Sequence, residues 1–141
     1  MKVVIVEDEK LSAEHLSLLL TEVDKEIEVV EYLDTVKGTV EAFNSGLKAD
    51  LMFLDIHLAD GNSFEIFSQT QIEIPIIFTT AFDNYAIQAF KQNSIDYLLK
   101  PVSMKELRFA LDKFKKQRQV VDTNLIEIVS RIHDQINNQF K

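Results

Sequence analysis

Five short apolar runs, each followed by a segment with helical spacing, constrain this chain more than any other feature. The runs are Lys2 to Val6, Ile27 to Tyr32, Leu51 to Leu54, Pro75 to Phe78 and Ile95 to Leu99. Val, Ile and Phe dominate them. They lack the polar alternation of a strand with one wet face, so they read as strands of a parallel sheet buried on both faces. Between them, Leu11, Leu16, Leu19, Leu20 and Val23 form one helical stripe, and Val36, Val40, Phe43 and Leu47 form another. The second stripe opens at the cap candidates Asp34 and Thr35 and closes near Gly46. Ser63 to Gln69 carries Phe64 and Phe67. Asp83 is placed to cap a helix facing inward through Ala86, Ala89 and Phe90. Ser103 and Glu106 make a capping box ahead of Leu107, Ala110, Leu111 and Phe114. Alternation of this kind predicts a doubly wound α/β domain with a five-stranded parallel sheet.

After Gln117 the scheme ends. Gln119 to Asp122 marks a break, and Leu125, Val129, Ile132, Ile136 and Phe140 then recur at helical spacing. The expectation is a domain over residues 1–118 and an amphipathic linker helix over 119–141, leading to an output domain outside this chain. A dimer-forming helix and a helix packed back on the domain are the alternatives.

Composition narrows the chemistry. A length of 141 residues suits one core, and 46% apolar content can fill it. No cysteine is present, which excludes disulfides, thiolate zinc sites and a cysteine nucleophile. The three histidines, His15, His57 and His133, have no metal-cluster spacing. No apolar run has the length of a membrane span, and the start of the chain is too short for a signal peptide, so a soluble cytoplasmic protein is expected. A net charge of −8 suits cations or basic partners and argues against direct nucleic-acid binding.

Polar residues interrupt the pattern at telling places. Glu7 and Asp8 follow the first strand, Asp55 ends the third, Thr80 follows the fourth and Lys100 follows the fifth. Residues just past the carboxyl ends of parallel strands face a common crevice. Taken singly, each has an ordinary role: a helix-starting acid, a cap, a turn. Four elements placing the needed groups at one rim is harder to explain that way. Three carboxylates close together repel, and a divalent cation with hard oxygen ligands resolves the conflict. Glu7, Asp8 and Asp55 therefore read as an Mg2+ (or Mn2+) site. Lys100 and Thr80 would contact a phosphoryl group, and Asp55 would be its nucleophile.

The stretches Val4-Ile5-Val6-Glu7-Asp8-Glu9, Leu51-Met52-Phe53-Leu54-Asp55-Ile56, Ile76-Ile77-Phe78-Thr79-Thr80-Ala81 and Asp96-Tyr97-Leu98-Leu99-Lys100-Pro101 resemble the response-regulator receiver family of bacterial two-component systems. That resemblance implies a flavodoxin-like fold, with Glu7 and Asp8 as the acidic pair and Asp55 as phosphoacceptor. It further implies Thr80 as switch hydroxyl, Lys100 as basic contact, Tyr97 as switch aromatic, the backbone carbonyl of His57 as a metal ligand and a cis bond before Pro101. The stretch from Phe82 to Pro101 is similar to the subfamily whose output is a LytTR-type DNA-binding domain. Leu58-Ala59-Asp60-Gly61 departs from the family: the loop is shorter and lacks its usual Pro.

The expected partners are a sensor histidine kinase, the chain's own output domain, and a second copy through the fourth helix, fifth strand and fifth helix or through the tail helix. By the same resemblance, His57 and Phe82 would flank the line of water attack on an acyl phosphate, and the apolar Phe82 predicts a long-lived phosphoryl group. The chain would then be no enzyme beyond its own phosphorylation and dephosphorylation. Two rivals are a haloacid-dehalogenase-like phosphatase and a non-phosphorylated interaction module. The first needs an Asp-x-Asp pair on its first strand, where this chain has Glu7-Asp8-Glu9; intact Asp8, Asp55 and Lys100 argue against the second.

Overall fold

The computed structural model describes residues 1–81, 94–118 and 131–132. Five strands, β1 (Lys2–Val6), β2 (Glu28–Leu33), β3 (Leu51–Asp55), β4 (Ile76–Thr80) and β5 (Ser94–Leu99), form one sheet in the order β2-β1-β3-β4-β5, paired in parallel throughout. This is the flavodoxin-like arrangement, in which the strand order reverses beside β1 and opens a crevice at the carboxyl ends. Between the strands lie α1 (Lys10–Val23), α2 (Val36–Asn44) and, after a single 3-10 turn at Ser63–Glu65, the short α3 (Ile66–Gln69). Residues 104–118 form a further helix. The chain divides into two compact units, Met1–Ala110 and Leu111–Lys141.

Every residue of β3 and β4 is buried, as central strands covered on both faces require. One face carries Val4, Val6, Met52, Leu54, Ile76 and Phe78, packed with Val36 of α2 and Ile66 of α3. Alternation turns Ile5, Phe53 and Ile77 to the other face. The strand β2 differs from the sequence expectation of burial on both sides. Glu28, Glu31 and Tyr32 are exposed because β2 is an edge strand, and its carboxylates discourage pairing with another chain.

Helix boundaries follow local chemistry. The Thr35 side chain accepts from the Gly38 N–H at 2.9 Å. At the other end of α2, Gly46 has φ +96, and the N–H groups of Gly46 and Leu47 donate to the carbonyls of Phe43 and Ala42, the pattern that ends a helix on a left-handed glycine. Ser103 Oγ accepts from the Glu106 N–H at 3.2 Å, one half of the expected capping box. The buried side of α1 is Ala13, Leu16 and Leu20. Leu11, placed in the apolar stripe by the sequence, is 80% exposed; it sits two residues before Ala13, about 200° round the helix.

The expected fourth helix, with Asp83, Ala86, Ala89 and Phe90, lies outside the described residues, as do Phe82 and, in the tail, Leu125, Val129, Ile136 and Phe140. Of the tail stripe only Ile132 is described; it is helical and 52% exposed. Among the described residues no helix is long and apolar enough to cross a membrane.

Candidate functional site

Strand ends deliver the polar residues to one rim. The Glu7 N–H donates to the Leu33 carbonyl at 2.8 Å, so β1 is still tied to β2 when it releases Glu7 and Asp8. The Lys100 N–H donates to the Thr80 carbonyl at 2.7 Å and carries the ammonium to the same edge, just before a cis Lys100–Pro101 bond. Asp55 closes β3 and is 5% exposed. Lys100 Nζ donates to Asp55 Oδ2 at 2.8 Å and forms a second ion pair with Glu7 Oε1. The other Asp55 oxygen accepts from the His57 N–H at 3.3 Å. Carboxylate oxygens of Glu7, Asp8 and Asp55 all lie within 4.8 Å of one another, with Glu7 and Asp55 buried and Asp8 exposed. Asp8, Asp55, His57, Thr80 and Lys100 line one open cleft.

Two carboxylates at that separation repel by about 3.5 kcal/mol at an effective dielectric near 20. The Lys100 ammonium offsets part of this. Burial disfavours its charged form, yet its contacts with Asp55 and Glu7 outweigh burial, and its pKa is raised. Glu7 is also pushed up, first by burial and then by the neighbouring Asp55 carboxylate, despite the opposing pull of Lys100. Asp8 moves the same way, through partial burial of its carboxyl and then the proximity of Glu7.

The direction of the Glu7 shift has a measurable consequence. A carboxyl with a raised folded-state pKa contributes stability that is present below the ordinary carboxylate pKa and lost as pH rises through the raised value. In metal-free buffer the Tm difference between Glu7→Gln and the unaltered chain should therefore move in the variant's favour as pH rises through that window. Thermal melts from acid to neutral pH check this, and a constant offset rejects it.

The remaining expected site residues are distributed as follows. Thr80 is fully buried at the end of β4. Tyr97 is half-buried on β5, paired in register with Phe78 and packed against the α2–α3 side of the core. His57 is exposed and begins a two-residue ladder, in which His57–Leu58 pairs antiparallel with Gly61–Asn62. This hairpin is the form the short, Pro-less loop takes, and Gly61, with φ +146, makes it feasible. Sequence reasoning missed Asp60 at its tip, whose carboxylate accepts from the Val36 and Lys37 N–H groups at 2.7 and 3.0 Å. The Asp60-Gly61 pair signals a turn, but nothing local reveals a partner 24 residues away.

The donor set suits a small divalent cation. Its ligand atoms are hard carboxylate oxygens, two of them in buried residues, and Asp8 and Asp55 line an open cleft, which suits an ion that keeps part of its water shell.

Comparison with known proteins agrees with this geometry. The family model described as response regulator receiver domain matches residues 3–112. The chain is 40% identical over 122 residues to the sensory transduction protein LytT of Bacillus anthracis, covering 84% of this chain and 49% of that protein. It is 38% identical over 133 residues to the transcriptional regulatory protein LytR of Staphylococcus aureus (strain N315), covering 92% and 53%. The chain thus spans about half the length of the curated relatives it matches. Among solved structures, the response regulatory domain of protein mrkE from Klebsiella pneumoniae superimposes with a TM-score of 0.71 at 32% identity, covering 83% of this chain and 97% of that one. Strand order, the acid–lysine cluster at the sheet edge and these matches lead to one conclusion: the chain belongs to the family of response regulator receiver domains.

Proposed function

We propose that Asp55 accepts a phosphoryl group from a histidine kinase and that this chain relays the signal to an output domain. The observation that carries the reading is the Lys100 ammonium held between Glu7 and Asp55 at the carboxyl end of the sheet. An Asp55 oxygen attacks phosphorus as the bond from phosphorus to the donor's imidazole nitrogen breaks, and that nitrogen keeps the electron pair. Glu7, Asp8, Asp55 and the His57 backbone carbonyl would hold Mg2+, which when bound neutralises the acids and draws charge from the phosphoryl oxygens. The Lys100 ammonium takes a second phosphoryl oxygen and the Thr80 hydroxyl donates to a third. These groups are set before the reaction begins, which is the form of electrostatic help that phosphoryl transfer uses.

The new acyl phosphate draws the Thr80 hydroxyl towards it, and Tyr97, two residues before Leu99, the partner of Thr80 across the β4–β5 pair, fills the space released. Charge-assisted hydrogen bonds of about 1.5–3 kcal/mol each suffice for the roughly 5.5 kcal/mol that turns a 1:99 equilibrium into 99:1. The relatives' names, a sensory transduction protein and a transcriptional regulatory protein, support an output that acts on transcription; the receiver would span residues 1–118 and a linker helix 119–141, leading to a LytTR-type DNA-binding domain. A cytoplasmic location would suit such an output. Self-association would use the fourth helix, fifth strand and fifth helix or the tail helix, and Phe82 would slow loss of the phosphoryl group.

The test is incubation with a small acyl phosphate and Mg2+. One hydroxylamine-labile phosphoryl group per chain is expected, mapped to Asp55 by mass spectrometry and formed without continuous turnover of the donor. Steady turnover without a labelled chain, or no labelling at all, would reject the reading.

A further inference from the structure

The loop that follows Asp55 is pinned at both ends. At its base the Ile56 N–H donates to the Thr79 carbonyl at 3.1 Å, and the Ser63 N–H donates back to the Ile56 carbonyl at 2.8 Å. At its tip, Asp60 reaches the first turn of α2, taking Val36 N–H on Oδ1 and Lys37 N–H on Oδ2. The amides of Lys37 and then Val36 hold the Asp60 carboxyl below the usual carboxylate range, so the contact persists in the charged form. α2 already has a cap in Thr35, which serves Gly38. The Asp60 bridge therefore does something the helix's own cap does not: it ties the loop carrying His57 to α2. His57, three residues before Asp60, donates its N–H to Asp55 Oδ1.

We propose that Asp60 is a positioning residue for the cation site, anchoring the 57–62 hairpin to α2 and so holding the His57 backbone in place beside Asp55. This rests on the reading of Asp55 and His57 as cation ligands given above. Asp60 touches neither cation nor phosphoryl group. Leu58 anchors the middle of the hairpin in the core, and Asp60 restricts its exposed tip, Ala59 and Asp60, next to a left-handed glycine that would otherwise widen the backbone states open to the loop. Groups one step removed from a metal commonly set its affinity through the orientation of the ligands they support.

The experiment compares Asp60→Ala with Thr35→Ala. Both remove acceptors from the first turn of α2, but only the first releases the hairpin. Mg2+ affinity by calorimetry should fall about tenfold in Asp60→Ala and stay near the unaltered value in Thr35→Ala. Equal weakening in both, or none in Asp60→Ala, overturns the proposal. Amide exchange in metal-free protein is the second readout: protection of the hairpin amides at His57 to Asn62 should drop in Asp60→Ala and not in Thr35→Ala, and unchanged protection also overturns it. If the unaltered chain does not bind Mg2+, the proposal falls with the site reading, and the exchange data show whether the tether itself exists. Asp60→Asn keeps one acceptor oxygen for one of the two amides, should give an intermediate loss, and replaces Asp60→Ala if that variant does not fold.

Discussion

Asp55→Asn is expected to take up no phosphoryl group under conditions that label the unaltered chain to completion. Asn has almost the same size and keeps a side-chain oxygen to accept the His57 N–H, so the strand end retains its packing. What it loses is an anionic oxygen able to bond to phosphorus. It also places an amide facing the Lys100 ammonium where Oδ2 now accepts at 2.8 Å. Because Asp55 is among the groups that raise the Glu7 pKa, removing its charge relaxes that repulsion, and the variant should remain folded. Intact-mass measurement after exposure to the acyl phosphate checks the prediction, with circular dichroism as the folding control. Labelling of folded Asp55→Asn at the unaltered rate would mean that another residue is the acceptor.

Lys100→Met should lower the rate of phosphoryl uptake by about 10²-fold, the scale set by removing one preorganised donor from developing negative charge. The stem is replaced with little change in bulk, so the loss reports the ammonium. A second effect separates charge from packing. The Glu7 and Asp55 side chains are only 5% and 6% exposed, and each would lose its ion-pair partner. Breaking one side of a buried pair leaves uncompensated charge, at a cost of about 3–5 kcal/mol. Metal-free Lys100→Met should therefore melt well below the unaltered chain, and added Mg2+ should raise its Tm more than it raises that of the unaltered chain. Equal metal responses would show that Lys100 does not share the carboxylates with a bound cation.

Much of this was legible in the one-dimensional pattern because the fold repeats a simple physical rule. Runs buried on both faces read as strands, and β3 and β4 fulfil this at every residue. Capping chemistry is local, so Thr35, Gly46 and Ser103 mark helix ends within a turn of the atoms they satisfy. The rim was legible for a related reason: in a parallel sheet, whatever follows a strand's last residue faces the same edge.

Errors arose where the outcome depended on neighbours rather than on the segment. β2 reads as an interior strand from its Val and Ile residues, but it lies at an edge with Glu28 and Glu31 exposed, because strand order is a property of the whole sheet. Leu11 fits a helical stripe by type, but the side of α1 that is buried is chosen by the sheet beneath it.

The chain's order of residues by itself determined which groups can do chemistry and at which strand ends they emerge, since periodicity and capping act over a few residues. Only the tertiary structure decided how their charges are shared. Lys100 divides itself between Glu7 and Asp55, the burial of Glu7 raises its pKa, and Asp60 closes a bridge to α2. The physical reason is range. Coulomb interactions, desolvation and long-range hydrogen bonds depend on separations in space that no local pattern encodes.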